Sequence, residues 1–452
     1  MGCNDSPGAR ASLAAVWLAV LAVTAGCATR PVNEPITRTD PASGYRFETR
    51  EQTDKQNLVV LAFSGGGTRA AAFSYGVLEF LRRTEVVGPR GNTVRLLDQV
   101  DIITGVSGGS FTALAYGLYG DKLFTDYEQR FLKRDVQGEI IARTFNPANW
   151  GRLSSNGWGR SELASELYDE ILFNQRVFDV ICSDLDSVRL SRAAAASSAV
   201  PVVLSSVTIK NYGGTCNTIT PMWARPFIDT ADPPRPAARA IRSMKAEQAF
   251  GDGVRRPYLH LVDGGVSDNV GMRSVLDALE IFEALHDAGL RSPFDNVKRV
   301  IVFVVNSLSS PPINWDEHET PPGTVDVLLK AAGTPIDAFS YEATELLRDT
   351  AARWNALRRI RNSAAFKDNK DPEVAKALRV PDAEIYAIDV SFPALADQAE
   401  LDYLNRQPTS FVLPPEAVDR LRAAAGTIIM ASPDFQRLLK DVGAKIVAPP
   451  PP

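Results

Sequence analysis

The stretch that most constrains this chain is Gly105-Val106-Ser107-Gly108-Gly109. Before it, Val100 to Thr104 is an apolar, β-branched run that reads as a short buried strand. After it, Ser110 to Tyr119 contains no proline and reads as a helix. Strand, G-x-S-x-G and helix in that order form a nucleophile-elbow pattern. Glycine at 105 and at 109 removes Cβ atoms where the chain must reverse sharply. Ser107 is then presented at the tip, at the N-terminus of the next helix, where the helix dipole favours developing negative charge. The pentapeptide by itself is also compatible with a plain glycine-rich turn, so other stretches have to decide.

A second stretch has the same strand-to-helix form. Leu58 to Phe63 reads as a first core strand, followed by Ser64-Gly65-Gly66-Gly67-Thr68-Arg69 and a long helix from Ala70 to about Arg82. Gly65, Gly67 and Ala70 satisfy the G-x-G-x-x-A pattern of a dinucleotide fold. That fold wants an acidic residue at the end of its second strand, and here the second strand ends in the serine elbow. A P-loop is excluded because no Gly-Lys-Ser/Thr follows. The remaining functional reading is an oxyanion hole. Successive glycines let backbone N–H groups from Gly65, Gly66, Gly67 and Thr68 converge at a helix N-terminus, with Arg69 supporting the loop or an anionic substrate. A tight βα turn is the plain structural alternative.

The third stretch, Tyr258-Leu259-His260-Leu261-Val262-Asp263-Gly264-Gly265, delivers an aspartate to the end of a mostly apolar strand. In an open parallel sheet that end is where ligands bind. A serine hydroxyl needs a base within hydrogen-bond reach, and Asp263 supplies one. His260 is the rival base, but residues three apart on a strand face opposite ways, which makes His260 a buried or structural residue. His286 falls late in a helical stretch and His318 in a proline-containing loop, neither with a motif around it.

In these stretches the chain resembles the patatin-like phospholipases, lipid acyl hydrolases with a Ser–Asp dyad. A fourth segment, Ala196-Ser197-Ser198-Ala199-Val200-Pro201, is similar to the family's Ala-Ser-x-Ala-x-Pro, and the order of all four agrees over about 58–275. The resemblance implies a three-layer α/β/α fold around a mostly parallel sheet. It also implies Ser107 as nucleophile, Asp263 as base, the glycine loop as oxyanion hole, and no cofactor or metal. The chain departs from the family at one place. Members carry a further core strand with an Asn-x-Thr-Asp-like sequence before the Ala-Ser segment. Here Trp158 to Phe173 reads as a helix and Asn174-Gln175-Arg176-Val177-Phe178-Asp179 follows at once. If that strand is absent, the alternative is a weakly active or inactive patatin-like envelope protein that binds lipid or a protein partner.

The chain has 452 residues, 45% apolar and 23% charged, with net charge −5, a globular composition with no electrostatic case for nucleic acid. No CxxC pair or HExxH occurs, so no zinc motif is present. Arg10 and the apolar run Ala11–Thr24 read as a signal peptide over 1–26, ending in Thr24-Ala25-Gly26-Cys27, similar to a bacterial lipobox with threonine where leucine is usual. Cys27 is then lipidated, and 27–57, with Pro31, Pro35 and Pro41, is a tether. Met1-Gly2-Cys3-Asn4-Asp5-Ser6 also matches an N-myristoylation pattern, but that reading leaves the apolar run without a role. Lipoprotein resemblance, with Ala28 after Cys27, implies an outer-membrane address in a Gram-negative cell envelope, with membrane lipid as substrate and partner.

An envelope compartment is oxidising, so Cys182 and Cys216, flanking the Ala-Ser segment, form either a disulfide or two buried thiols. Residues 58–445 are read as one domain and 446–452 as a proline-rich tail. Within the domain, 229–257 is expected to be a flap or surface loop and Val202–Ile209 a strand. Arg299–Asn306 and Glu384–Val390 are expected as further strands. Thr324–Arg361 reads as a helix broken near Pro335, and Leu413–Leu439 as two helices parted at Ser432-Pro433.

Overall fold

A computed structural model describes residues 32–38, 56–87, 91–155, 158–171, 182–184, 188–199, 204–217, 223–230, 237–292, 294–310, 315–317, 319–443 and 445–446. The expected signal peptide, Cys27, the stretch Asn174–Asp179, Val200-Pro201, Pro233, Pro234, Pro236, His318 and the tail from 447 onward lie outside the described residues.

The chain opens its core with strand β1 (Asn57–Phe63) and helix α1 (Gly67–Arg82), then adds two short strands, β2 (Thr84–Val87) and β3 (Thr93–Arg95). Strand β4 (Val100–Gly105) leads into α2 (Gly108–Tyr119). Helices α3 (Arg160–Ile171) and α4 (Leu190–Ser197) precede β5 (Val207–Lys210), α5 (Ala238–Gln248) and β6 (Tyr258–Leu261). After the short α6 (Gly265–Asp268) come α7 (Arg273–Asp287), β7 (Arg299–Asn306), the long α8 (Thr324–Arg361) and β8 (Glu384–Ser391). Helices α9 (Pro415–Ala431) and α10 (Pro433–Val442) and the strand β9 (Lys445–Ile446) complete it.

The central sheet has the order β4-β1-β7-β8, all parallel. Its period-two alternation divides the interior into two layers. Val59, Leu61 and Phe63 of β1 join a core with α1, α2 and α9, whereas Leu58, Val60 and Ala62 join a second core with α7 and α8 on the opposite face. Helices thus cover both faces of a mostly parallel sheet, which gives the α/β/α architecture.

Several expectations need correction. Strand β4 is half-exposed along its whole length rather than buried, because it is the edge strand and no described strand pairs with its outer side. Strand β6 is not part of the parallel sheet. It pairs antiparallel with β5, His260 opposite Thr208, as a separate two-stranded ribbon. Its residues alternate exposed and half-buried, the pattern of a ribbon with one face in water. The strand expected from Val202 begins only at Val207 among the described residues. The 229–257 stretch contains helix α5, held to α7 by Arg239 with Asp277 and Glu280, so it is not merely a loop. Helix α8 runs through Pro335 without a break. Proline there removes the bond to the carbonyl of Ala331, which lies on an exposed stretch of helix where water can replace it. Ile446 pairs with Thr84, so the ordered fold reaches into the expected tail. Among the described residues, no helix is long and apolar enough to cross a membrane.

Candidate active site

Strands β1 and β4 are neighbours in register, Phe63 opposite Gly105, so their C-terminal ends release the glycine loop and the serine elbow side by side. Ser107 takes φ 47° and ψ −118°, a positive φ that a residue with a Cβ adopts only under constraint. The constraint is visible as bonds on every side. Val106 N donates to Phe63 O (3.0 Å) and Gly109 N to Ser64 O (3.1 Å). Ser107 N donates to Ser197 Oγ (2.9 Å), and Ser110 Oγ donates to Ser107 O (2.6 Å). Glycine is required at 108 by close approach, since a Cβ there would sit 2.0 Å from Gly67 O.

The glycine loop commits some of its donors internally. Gly65 N donates to Asn269 O and Thr68 N to Ser410 O, each at 2.8 Å. Those two amides are therefore not available to a ligand, which corrects the four-residue oxyanion expectation. Gly66 N, Gly67 N and the elbow's own Gly108 N have no partner among the described residues. Gly66 and Gly67 adopt φ of 136° and 59°, the region glycine favours and the one in which successive backbone N–H groups form anion-binding turns. Arg69 is only 2% exposed. Its guanidinium donates to Ser307 O (2.8 Å), Gln407 O (2.6 Å) and Thr409 Oγ1 (3.1 Å), all neutral acceptors. Burial pulls its pKa down to about 10. Arg69 therefore braces the loop from behind. A direct role on an anionic substrate does not fit its burial.

Asp263 follows the β5–β6 ribbon and is fastened to the end of α4. Asp263 N donates to Ala199 O (3.1 Å) and Gly264 N to Ser197 O (3.3 Å). Ser197 thus touches both candidate residues, accepting from Ser107 N through its hydroxyl and from Gly264 N through its carbonyl. Asp263 Oδ1 accepts Gly265 N at 2.7 Å. Asp263 Oδ2 is buried without a closed hydrogen bond, while the Ser107 hydroxyl stands close enough to favour the carboxylate. Burial outweighs both favourable contacts and raises the Asp263 pKa above the ordinary carboxylate value. His260 is exposed rather than buried, its Nδ1 paired with Thr208 Oγ1 at 2.9 Å. His286 lies on α7, away from this end of the sheet.

Residues 61–276 match the family model described as Patatin-like phospholipase. The chain carries a patatin-like phospholipase domain. That family acts on lipid esters as hydrolases. The chain matches no curated protein.

The patatin-like stretch is not self-sufficient. Ser307 at the end of β7, and Gln407, Thr409 and Ser410 before α9, lie past residue 276, yet they hold Arg69 and Thr68. Sequence reasoning missed these braces, and it missed Asn269 and Gly108 N. Gly108 was legible in principle, as the residue following the nucleophile in an elbow contributes its N–H. The others carry no motif. On the ribbon side, the structure joins Cys182 to Cys216 by a disulfide, with Cα atoms 5.6 Å apart. The described part of the expected tether, residues 32–38, is docked there. Asn33 Nδ2 donates to Ser183 Oγ (2.7 Å) and Lys210 O (2.8 Å), and Asn33 Oδ1 accepts Lys210 N (2.8 Å).

Proposed function

We propose that this chain is a serine acyl hydrolase of the phospholipase A or lysophospholipase type, with Ser107 as nucleophile and Asp263 as its base. The observation that carries the reading is the buried, unpartnered Asp263 Oδ2 beside the strained Ser107. Oδ2 accepts the proton of Ser107 Oγ as the oxygen attacks the ester carbonyl carbon. The carbonyl oxygen becomes an oxyanion facing the free N–H groups of Gly66, Gly67 and Gly108. Collapse breaks the ester C–O bond, and the departing alkoxide takes the proton back from Asp263. Water, deprotonated by the same carboxylate, then attacks the acyl carbon; the acyl–Oγ bond breaks, the proton passes from Asp263 to Ser107 Oγ, and the fatty acid leaves. The raised pKa suits a group that must both take and return a proton.

The test is covalent labelling. A fluorophosphonate is expected to label Ser107 in the native chain and to leave Ser107→Ala unlabelled, with ester hydrolysis down by several powers of ten. Labelling elsewhere, or native activity in Ser107→Ala, would discard the mechanism.

The envelope address belongs to the same proposal. Cys27 carries the lipid that holds the protein at the outer membrane. Cys27→Ser is expected to release the protein from membranes, and Gly2→Ala to leave it there; the reverse outcome would favour a myristoyl anchor.

A further inference from the structure

Four apolar side chains stand in water at the end of the sheet that carries the site. Val262 and Val266 bracket Asp263 in sequence and are 49% and 50% exposed. Phe339 and Tyr341 of α8 are 52% and 68% exposed. Scattered exposed apolar residues are ordinary on any protein surface. What sets these apart is where α8 carries them.

Helix α8 runs antiparallel to β8. Asn355 Nδ2 donates to Ile385 O (3.0 Å) and, nearer the helix N-terminus, Arg348 donates to Asp389 Oδ2 (2.8 Å). Moving toward the helix N-terminus therefore moves toward the strand ends from which the elbow and glycine loop emerge. From Arg348 to Tyr341 the helix rises about 10 Å, while the strand from Asp389 to its end at Ser391 rises only about 7 Å. Phe339 and Tyr341 are thus level with the catalytic edge of the sheet or just past it. Among the described side chains, the buried face of α8 runs through Ser340, Thr344, Leu347, Ala351 and Trp354. At about 100° per residue, the two rings flank that face on either side. Helix α6, the turn directly after Asp263, packs against α8, so the helix with the aromatic pair neighbours the turn with the valines.

We propose that this rim seats on a lipid surface and presents the Ser107–Asp263 mouth to it. The inference rests on the lipid-ester reading above and names the surface through which the substrate arrives. Continuity identifies the occupant. A lipid ester held in a bilayer must approach the end of the sheet where Ser107 stands, and a rim of aliphatic and aromatic side chains there matches the acyl boundary of that bilayer.

The first test reads position, not catalysis. In the full chain carrying Ser107→Ala, the added substitution Phe339→Trp introduces an indole at the rim. On vesicles of phosphatidylcholine brominated along the acyl chains, its added fluorescence is expected to fall at least about twofold relative to unbrominated vesicles. Equal brightness on both overturns the proposal. The second test uses Phe339→Glu with Tyr341→Glu in the otherwise native chain. Hydrolysis of vesicle phosphatidylcholine is expected to drop at least about tenfold, as two aromatic side chains no longer enter the interface. Hydrolysis of a dissolved short-chain ester is expected to stay at the native rate. Unchanged vesicle hydrolysis overturns the proposal. If both activities vanish, the variant has lost its fold and the quenching result decides alone. If the native chain cleaves neither substrate, the hydrolase reading fails while quenching still decides the surface.

Discussion

Ser107 stands on a strand–helix unit that leans on the parallel sheet, whereas Asp263 stands at the end of a two-stranded ribbon with one face in solvent. The nucleophile's neighbour β1 is buried from Leu58 onward and α1 is buried almost throughout. The ribbon's β6 has no fully buried residue. It is positioned instead by the Cys182–Cys216 disulfide, by Asn33, and by the two bonds from Asp263 N and Gly264 N to the end of α4. Helix α4 is in turn pinned to α3 by the buried Arg192–Glu162 pair and to β5 by Arg192 donating to Thr208 O. The lesson is that the two halves of the site draw on different sources of rigidity. One is a hydrophobic core alone, and the other reaches that core through Val207 and Leu261 and adds covalent and polar stapling. They should fail separately.

The sharpest way to break that comparison is Asp263→Asn. Ester hydrolysis is expected to fall by several powers of ten, with residual turnover from the oxyanion donors. Stability should move the opposite way. Burial raises the folded pKa, so what Asp263 contributes to stability is complete below its unfolded pKa of about 3.9 and is lost as pH rises through the raised value. Thermal melts should therefore show Asp263→Asn above the native chain at pH 7, with the gap closing toward pH 4. A variant that is less stable at pH 7 would show that the site stabilises the carboxylate despite burying it.

Cutting the staple comes next. The disulfide spans a separation of 34 residues, and chain entropy puts its worth at about 4 kcal/mol. With Cys216→Ser, activity is expected to be lost on mild heating before helical circular dichroism melts. Simultaneous loss would mean that ribbon and core unfold as one unit.

Gly66→Val attacks the other half. A Cβ at φ 136°, 3.0 Å from Arg69 Nη2 and from Ser307 Oγ, should turn the N–H donors away. This is expected to cost about 3 kcal/mol of transition-state stabilisation, read as a lower kcat with little change in KM. An equal rise in KM would assign the loop to binding instead.

The smallest effect is expected from Asn33→Ala, which removes the three bonds to Ser183 and Lys210 at about 1–3 kcal/mol. Limited proteolysis should then cut near residue 33 faster, with ester turnover nearly unchanged.

The two halves also differ in how far the sequence reveals them. The β1 and β4 strands, the helices after them and both glycine turns are legible because β-branched runs meet glycines whose spacing leaves the chain little choice. The β5–β6 ribbon is less so. Tyr258-Leu259-His260-Leu261 alternates polar and apolar, the signature of a half-exposed strand, but the downstream Asp-Gly-Gly invites placing it in the parallel sheet. The braces from Ser307, Thr409, Ser410 and Asn33 were illegible for a different reason. Each is one polar residue in a polar stretch, and its partner lies more than a hundred residues away. Pro335 misled because a proline marks where a helix loses one bond, and an exposed helix tolerates that loss.

The docking of Asn33 fixes a length. Asn33 lies six positions after Cys27, and six residues of fully extended backbone reach at most about 22 Å. A lipid on Cys27 would then hold the Asp263 ribbon on a leash shorter than a bilayer is thick. On so short a leash the mouth would meet the lipids of its own membrane at an effective concentration in the millimolar range, and lipids of an opposing membrane hardly at all.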